Sequence, residues 1–324
     1  MRLEIEQAKE FARSAVMAVG ADEPTATSLA NATVAAELSG HPSVGFAHLV
    51  DYLDGFSTGR IARSVQPGIL FPTLTTLKVD AKQGIAQLGF DMAFETLVEK
   101  AKQYGVALFA QANSYTAGEL GYYTRRLADT GLVCLATSNG PALVSTPQSR
   151  QRVFGTNPMS FAAPIAGGAP MVIDQASSAT AFVNIREAAA RGDAIPEGWA
   201  LDAGGRPTTD ANDALKGMLL AFGGARGANI ALMVEVLSVG LTGANWSLDA
   251  PSFERGEGSP GVGLCIVAID PAALAPDFPD RMALQVERLS AKGIYVAGRA
   301  DCLDFVDIAP SVLSEIKRYC VHNL

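Results

Sequence analysis

The sequence predicts an α/β (α+β) protein with a helical first lobe, a β-rich middle lobe and a helical tail. Apolar residues recur at helical spacing through residues 4–59, and short apolar runs separated by Gly- and Pro-rich segments follow Pro72. The chain also lacks a strand–GxGxxG–helix unit and a GxxxxGK[ST] loop. A nucleotide site of the Rossmann or P-loop type is therefore not expected in the β-rich lobe.

Three helices are predicted in the first lobe. The first covers residues 4–18, and the second runs from Glu23 to Leu38 with a proline in its first turn. Gly40-His41-Pro42 breaks the second helix, and Ser43 is a favourable N-cap for a third helix that ends near Gly59.

The middle lobe is predicted to alternate short strands with helices. Strands are expected at Leu77–Val79, Val106–Phe109, Leu132–Ala136, Met171–Asp174 and Gly263–Ile269. Helices are expected from about Leu88 to Tyr104, Gly118 to Asp129 and Ala225 to Val239. The segment from Ser138 to Pro158 is rich in Gly, Pro, Ser and Asn, which predicts loop.

Helical periodicity returns in the tail, so we expect the tail to pack back on the first lobe. The apolar positions that carry it are Met282, Val286, Leu289, Val312, Ile316 and Cys320. The division predicted from these patterns places 1–112 together with 271–324 in one lobe and 113–270 in the other.

The composition excludes several classes of function. A net charge of −8 and a pI near 5.0 argue against a nucleic-acid surface. No apolar run reaches the ~20 residues of a membrane span, and the N-terminus lacks a signal-peptide core. The four cysteines form no CxxC pair, so thiols in a reducing cytoplasm are the simplest interpretation.

The first candidate motif is the segment from Gly40 to His48, which holds two of the three histidines of the chain. The third, His322, lies near the C-terminus, where fraying is expected. His48 follows Val44 by four residues and shares its helix face, and a histidine near a helix start is suited to donate a proton. A histidine that only packs or caps locally is the alternative.

Two further motifs carry polar side chains on tight turns. Thr156 and Asn157 lie between a glycine and a proline, where their side chains could bind a carboxylate or amide. Asp174 ends an apolar strand and is followed by Gln175 and small residues, which suits a close approach of a ligand or an acid that orients a histidine. An ordinary loop and an Asp that caps the next turn are the alternatives.

The fourth motif is Phe222-Gly223-Gly224-Ala225-Arg226-Gly227 before an apolar helix. Backbone N–H groups and Arg226 at a helix start attract an anion, whereas a flexible helix start with a solvated arginine is the alternative. No histidine or cysteine pair has metal-ligand spacing, so no metal site is predicted.

In this order the motifs resemble those of the malate/L-lactate dehydrogenase-like (type 2) oxidoreductases. The resemblance covers most of the chain and is strongest in Phe154–Pro158, Ile195–Asp202 with Pro207–Asp210, and Phe222–Gly227. The segment Gly240–Ser247 is most similar to the cyclic-ketimine reductases of that family, which act on Δ1-pyrroline-2-carboxylate and Δ1-piperideine-2-carboxylate.

The resemblance implies a fold and a set of site residues. It implies a cofactor lobe, here 113–270, that is largely antiparallel and differs from the Rossmann fold. It also implies a homodimer with the site near the subunit boundary. Ser43 matches part of a proton relay and Thr156 matches a substrate contact. The positions that match cofactor contacts are Thr116, Ala117, Gly118, Glu119, Leu120, Asp174, Gln175, Ala176, Arg226 and Gly227.

The chain departs from the family pattern at reactive positions. Val44 replaces the motif histidine that usually donates the proton, and Tyr115 and Thr116 replace a histidine pair. His48 stands where relatives often carry a substrate-binding arginine, and Arg226 replaces a lysine. Valine cannot transfer a proton, so either the donor has moved or the chemistry has weakened.

The leading hypothesis is reduction of a cyclic ketimine to L-proline or L-pipecolate in the cytoplasm, with NADPH preferred and NADH open. Ser43, His48 and Asp174 are the expected catalytic residues, and His48, Thr156 and Asn157 the expected substrate contacts. One alternative is a 2-hydroxy-acid dehydrogenase acting on a malate- or lactate-like substrate, with His48 as the acid. A second is a binding or regulatory family member that has lost catalysis.

Overall fold

The computed structural model describes residues 1–253, 255–298 and 303–321. His322 and Cys302, both considered in the sequence, lie outside them. The described residues form a mixed α/β structure, as predicted. Their helices are α1 Ile5–Ala18, α2 Glu23–Leu38, α3 Phe46–Thr58, α4 Ala86–Tyr104, α5 Gly121–Asp129, α6 Phe182–Arg191, α7 Ala211–Lys216, α8 Ala225–Glu235, α9 Phe278–Ser290 and α10 Pro310–Val321. Their strands are β1 Arg2–Glu4, β2 Gly68–Thr73, β3 Thr76–Asp80, β4 Val106–Ser114, β5 Val133–Ser138, β6 Val144–Ser145, β7 Met159–Ala163, β8 Met171–Gln175, β9 Ala200–Leu201, β10 Pro207–Thr208, β11 Met218–Leu220, β12 Val262–Ile269 and β13 Phe305–Asp307.

A seven-stranded sheet in the order β2-β3-β4-β12-β5-β7-β8 forms the centre of the structure. Only its β3–β4 pair is parallel, which confirms the largely antiparallel sheet. The apolar strand β12 lies in the middle, where Ile266 pairs with Phe109 on one side and Ala136 on the other. Leu264, Ile266 and Ala268 on one face of β12 belong to the central apolar core, and Cys265 on the other face is buried as well, which agrees with its continuous apolar run.

The first three helices form a second apolar core with the end of the chain. Helix α1 buries Ala8, Ala12, Ala15 and Val16 on one face, as the helical spacing requires. Strand β13 pairs with β1, and Ile316 of α10 belongs to the same core as the α1 residues. Strand β13 and helix α10 therefore pack against the first helices. The start of α9 lies elsewhere, because the Ala166 N–H between β7 and β8 donates a 3.1 Å hydrogen bond to the Pro279 carbonyl. The return of the whole tail to the first lobe stays a prediction.

A four-stranded sheet, β10-β9-β11-β6, packs with α6, α7 and α8 around a third core. This unit adjoins the central sheet, because Phe222 N–H donates a hydrogen bond of 3.1 Å to the Ser177 carbonyl just after β8. The expected boundary between residues 112 and 113 falls inside β4. The division into two lobes stays a prediction.

The start of the third helix differs from the expectation. Ser43 lies in a separate 3-10 turn, Pro42–Val44, and α3 begins only at Phe46. The Phe46 N–H donates to Oε1 of Glu37 on α2 at 2.7 Å, so a neighbouring helix caps α3. A Cβ added to Gly45 would lie 2.4 Å from that Glu37 oxygen, which explains the glycine between turn and helix.

Helix α6 was not predicted from the sequence. It buries only Ile185 and Ala188, so its apolar pattern is too short to stand out. Among the described residues, no helix combines the length and apolar character needed to cross a membrane.

Candidate active site

A cavity of about 370 Å³ opens where the first helices, the central sheet and α6 meet. The turn before α3, the loop between β4 and α5, the end of β8 and the start of α6 all contribute walls. Most of the predicted site residues line it together: Ser43, His48, Thr116, Ala117, Gly118, Glu119, Leu120, Thr156, Asp174, Gln175 and Ala176. Residues far apart in the sequence are thus brought to one place.

Asn157 does not line this cavity, contrary to its expected contact with a substrate carboxylate. It is fully buried, and its Nδ2 donates to the Ala231 carbonyl at 2.9 Å and to Glu235 Oε2 at 2.6 Å. Glu235 also accepts hydrogen bonds from the N–H and hydroxyl of Ser247. The side-chain nitrogen of Asn157 therefore ties the segment just before β7 to α8.

Arg226 and Gly227 also lie away from the cavity lining. Arg226 is exposed in the first turn of α8. A Cβ added to Gly227 would lie 2.0 Å from the Phe222 carbonyl oxygen, so close backbone packing alone requires glycine there. The turn nevertheless adjoins the Asp174–Ala176 wall through the hydrogen bond between Phe222 and Ser177. The cofactor roles of Arg226 and Gly227 stay predictions.

His48 is held by hydrogen bonds at both ring nitrogens. Nδ1 lies 2.7 Å from Asp51 Oδ2, and Nε2 lies 3.1 Å from the Thr116 hydroxyl. Thr116 Oγ1 in turn donates to the Tyr52 hydroxyl at 2.7 Å. Burial raises the pKa of Tyr52 to about 12, so this hydroxyl stays neutral. The network fixes the orientation of the His48 ring in the cavity wall.

A second histidine in the cavity, His41, belongs to a group that sequence spacing did not reveal. His41 Nδ1 lies 2.8 Å from Glu119 Oε1, and the two residues are 78 positions apart. Asp174 lies beside them and accepts a 2.7 Å hydrogen bond from the Gly121 N–H. A Cβ on Gly121 would lie 3.0 Å from Glu119 and 3.3 Å from Asp174, so the two carboxyl groups converge on the start of α5.

The environment of this group shifts its proton affinities. Desolvation of the carboxyl raises the pKa of Asp174 to about 6, and the nearby Glu119 charge raises it further. The hydrogen bond to Glu119 raises the pKa of His41. Both shifts move the loss of the proton to higher pH, and perturbed groups in a cavity are characteristic of functional sites.

His41, Glu119 and Asp174 could each offer one ligand atom to a metal, and these atoms lie within 4.8 Å of one another. The hydrogen bonds to His41 and from Gly121 account for this closeness without an ion. The absence of a metal site stays a prediction.

Arg186 of α6 is the one lysine or arginine side chain among the described residues that line the cavity. Ala181, which precedes α6, and the first two residues of the helix, Phe182 and Val183, also line the cavity, and the N–H groups at a helix start attract anions. Apolar side chains such as Leu143 and Phe182 offer surface to a ring system. This end of the cavity fits the anionic and aromatic parts of a dinucleotide. Sequence reasoning missed Arg186 because it missed α6.

Known proteins resemble the chain over almost its full length. The malate/L-lactate dehydrogenase family model matches residues 3–299. A (2R)-3-sulfolactate dehydrogenase (NADP(+)) of Chromohalobacter salexigens is 33% identical over 99% of both chains. A Δ1-pyrroline-2-carboxylate/Δ1-piperideine-2-carboxylate reductase of Pseudomonas putida is 35% identical over 85% of this chain and 82% of that protein. The crystal structure of Δ1-piperideine-2-carboxylate reductase from Pseudomonas syringae pv. tomato superposes with a TM-score of 0.89 at 31% identity, covering 99% of this chain and 95% of that one.

Fold, cavity and relatives together define an NAD(P)H-dependent oxidoreductase. The chain belongs to the malate/L-lactate dehydrogenase family, as its ordered motifs predicted.

Proposed function

We propose that this enzyme reduces a cyclic ketimine, Δ1-pyrroline-2-carboxylate or Δ1-piperideine-2-carboxylate, to L-proline or L-pipecolate. The observation that carries the proposal is the charge of the cavity. Among the described residues, three carboxyl groups, those of Asp51, Glu119 and Asp174, line it against one arginine, Arg186. Such a wall favours a substrate with a cationic iminium over one with only negative groups.

The chemistry of the substrate points the same way. Hydride transfer to a ketone creates an alkoxide that needs an acid, whereas a protonated cyclic imine becomes a neutral amine. Val44 lines the cavity where the family motif has a histidine, and hydride transfer to an iminium leaves no oxyanion for that acid to neutralise. The pyrroline- and piperideine-carboxylate reductases among the relatives support this choice.

The cavity residues would have separate roles in catalysis, substrate binding and cofactor binding. Asp174 stabilises the iminium, Ser43 and His48 assist proton movement, and His48 with Thr156 holds the carboxylate. Bound NADPH supplies the hydride. Arg186 and the start of α6 would hold its anionic groups, with Thr116–Leu120 and Asp174–Ala176 as the adjoining walls. Arg226 and Gly227 would contact it from the neighbouring turn.

The second candidate is a 2-hydroxy-acid dehydrogenase. The sulfolactate dehydrogenase relative favours it, because the match covers 99% of this chain. A substrate panel separates the two. Purified enzyme is offered both cyclic imines and pyruvate, each with NADPH and NADH, and oxidation of the cofactor is followed. Faster oxidation with an imine and NADPH is expected, and faster oxidation with pyruvate would overturn the proposal. Cofactor binding without turnover of any substrate would indicate a binding protein instead.

His48→Ala adds a test within the site. Both ring nitrogens of His48 are bonded to Asp51 and Thr116, so a positioning and binding role is expected. With an imine the loss should therefore fall chiefly on KM, with His48→Gln milder. A fall of ~100-fold in kcat, the usual scale for a lost general acid, would favour the keto-acid alternative.

We further propose that the enzyme is a homodimer. Helix α8 and the residues after it expose large apolar side chains, namely Leu232, Met233, Val236, Leu241, Trp246 and Leu248. Exposed apolar groups at this density are characteristic of protein interfaces. Light scattering at micromolar concentration should give twice the chain mass of 33.7 kDa, and a monomer would contradict the proposal.

A further inference from the structure

The cavity contains a histidine to which the proposed function assigns no role. His41 lies in the segment between α2 and the turn before α3, and its partner Glu119 precedes α5. The Glu119 side chain is 3% exposed, whereas that of His41 is 46% exposed. In this pair the carboxylate is buried in the protein and the imidazole is accessible from the cavity.

The hydrogen bonds of the pair determine which atom faces a ligand. Nδ1 of His41 bonds to Glu119 Oε1, and within the described part of the chain Nε2 has no hydrogen-bond partner. The second Glu119 oxygen, Oε2, is buried and has no hydrogen-bond partner among the described atoms. His48 differs, because Asp51 and Thr116 occupy both of its nitrogens.

We propose that His41 is the catalytic proton donor to the substrate nitrogen, with Glu119 as the residue that positions its ring. This inference rests on the proposed ketimine reduction. A carboxylate that is hydrogen-bonded to one ring nitrogen fixes the tautomer of the imidazole and stabilises the imidazolium. Both effects suit a residue that donates a proton from its other nitrogen.

The proton balance of the step is simple. A neutral imine nitrogen takes the proton from His41 Nε2, so one N–H bond breaks on the ring and one forms on the substrate. The substrate becomes an iminium and His41 becomes neutral. Bound NADPH would supply the hydride that converts the iminium to the amine, and its oxidation to NADP⁺ would account for the two electrons that the substrate gains. Solvent returns a proton to the accessible His41 ring.

The charges around His41 come from several elements. Glu119 before α5 and Asp174 on β8 favour the imidazolium, and Arg125 on α5 opposes it. Asp51 and His48 on α3 and Arg186 on α6 are the other titratable groups among the described residues that line the cavity. The hydrogen bond to Glu119 is the largest of the effects that raise the pKa of His41. Removal of the Glu119 charge should therefore have the largest effect on its titration.

Proton NMR tests the pairing without any turnover. The chain has three histidines, so the ring signal of His41 is assigned by its loss in His41→Gln. In the wild type His41 should titrate above the usual imidazole range, and Glu119→Gln should lower that midpoint. Glu99→Gln, on an exposed site of α4, is the matched control and should leave it unchanged. An identical His41 midpoint in wild type and Glu119→Gln would overturn the proposal.

Kinetics then tests the donor. His41→Ala should lower kcat with the imine by ~100-fold, and added imidazole should restore part of it. In Glu119→Gln the loss of kcat at alkaline pH should move to lower pH together with the NMR midpoint. A His41→Ala kcat within roughly threefold of wild type would overturn the proposal. If Glu119→Gln does not fold, His41→Ala and its rescue decide.

The two proposals fail separately. Normal imine reduction by His41→Ala would remove the donor and leave the proposed function intact. Turnover of a keto acid alone would remove the proposed function, while the NMR titration, which needs no substrate, would still decide the His41–Glu119 pairing.

Discussion

Replacement of Arg186 by alanine should weaken NADPH binding because Arg186 is the one Lys or Arg side chain among the described cavity-lining residues. A charge-assisted hydrogen bond contributes roughly 1.5–3 kcal/mol. The side chain is exposed, where solvent screens charge, so the lower value applies and corresponds to about a tenfold rise in Kd. The Asp51, Glu119 and Asp174 carboxylates should repel the cofactor phosphates, so the N–H groups at the start of α6 are the anion contacts expected to remain at that end of the cavity.

Fluorescence titration of NADPH at low and high salt measures this effect. Arg226→Ala is the matched comparison, since Arg226 lies at another helix start outside the cavity lining. We expect the larger rise in Kd for Arg186→Ala, a smaller one for Arg186→Lys, and a wild-type affinity that falls with added salt. An unchanged Kd in Arg186→Ala together with a raised Kd in Arg226→Ala would refute the assignment of the phosphates to α6.

Two further predictions concern stability. The pKa of Asp174 is raised from 3.8 to about 6 in the folded protein, so its protonated form stabilises the fold and this contribution is lost as pH rises from about 4 to 6. Asp174→Asn should therefore gain stability relative to wild type across that window, by up to about 3 kcal/mol, in urea unfolding at several pH values; a pH-independent difference would contradict the shift. Gly227→Ala should lower the free energy of unfolding by about 1–3 kcal/mol because the added Cβ would clash with the Phe222 carbonyl. Normal thermal stability together with weaker cofactor binding would show that Gly227 has a role in ligand binding instead.

The parts of the fold that the sequence predicted are those with a strong local pattern. The apolar run of β12 and the single buried face of α1 are visible in a short window. The predicted start of α3 was wrong because Glu37 on another helix caps it. Rules for N-caps consider only residues next to the helix start. Helix α6 was not predicted from the sequence because only two of its residues, Ile185 and Ala188, are buried, and its stability depends on their tertiary contacts.

The candidate site was predictable to the extent that ordered motifs mark it. Ser43, His48, Thr156 and Asp174 were found in this way, and the structure brings them to one cavity. The pairing of His41 with Glu119 was not predictable, since nothing in their spacing of 78 residues relates them. The burial of Asn157 is equally non-local, because its partners on α8 are 74 and 78 residues away.

The position of β12 determines when a growing chain can complete its site. Its neighbours β4 and β5 end more than a hundred residues earlier, at Ser114 and Ser138, and Val262 at its start forms part of the cavity wall. Until residues 262–269 leave the ribosome, the sheet has a gap between β4 and β5. Closing such long loops is slow. Ligand binding during synthesis must therefore wait for this late strand, and a nascent chain cut before it should hold no cofactor.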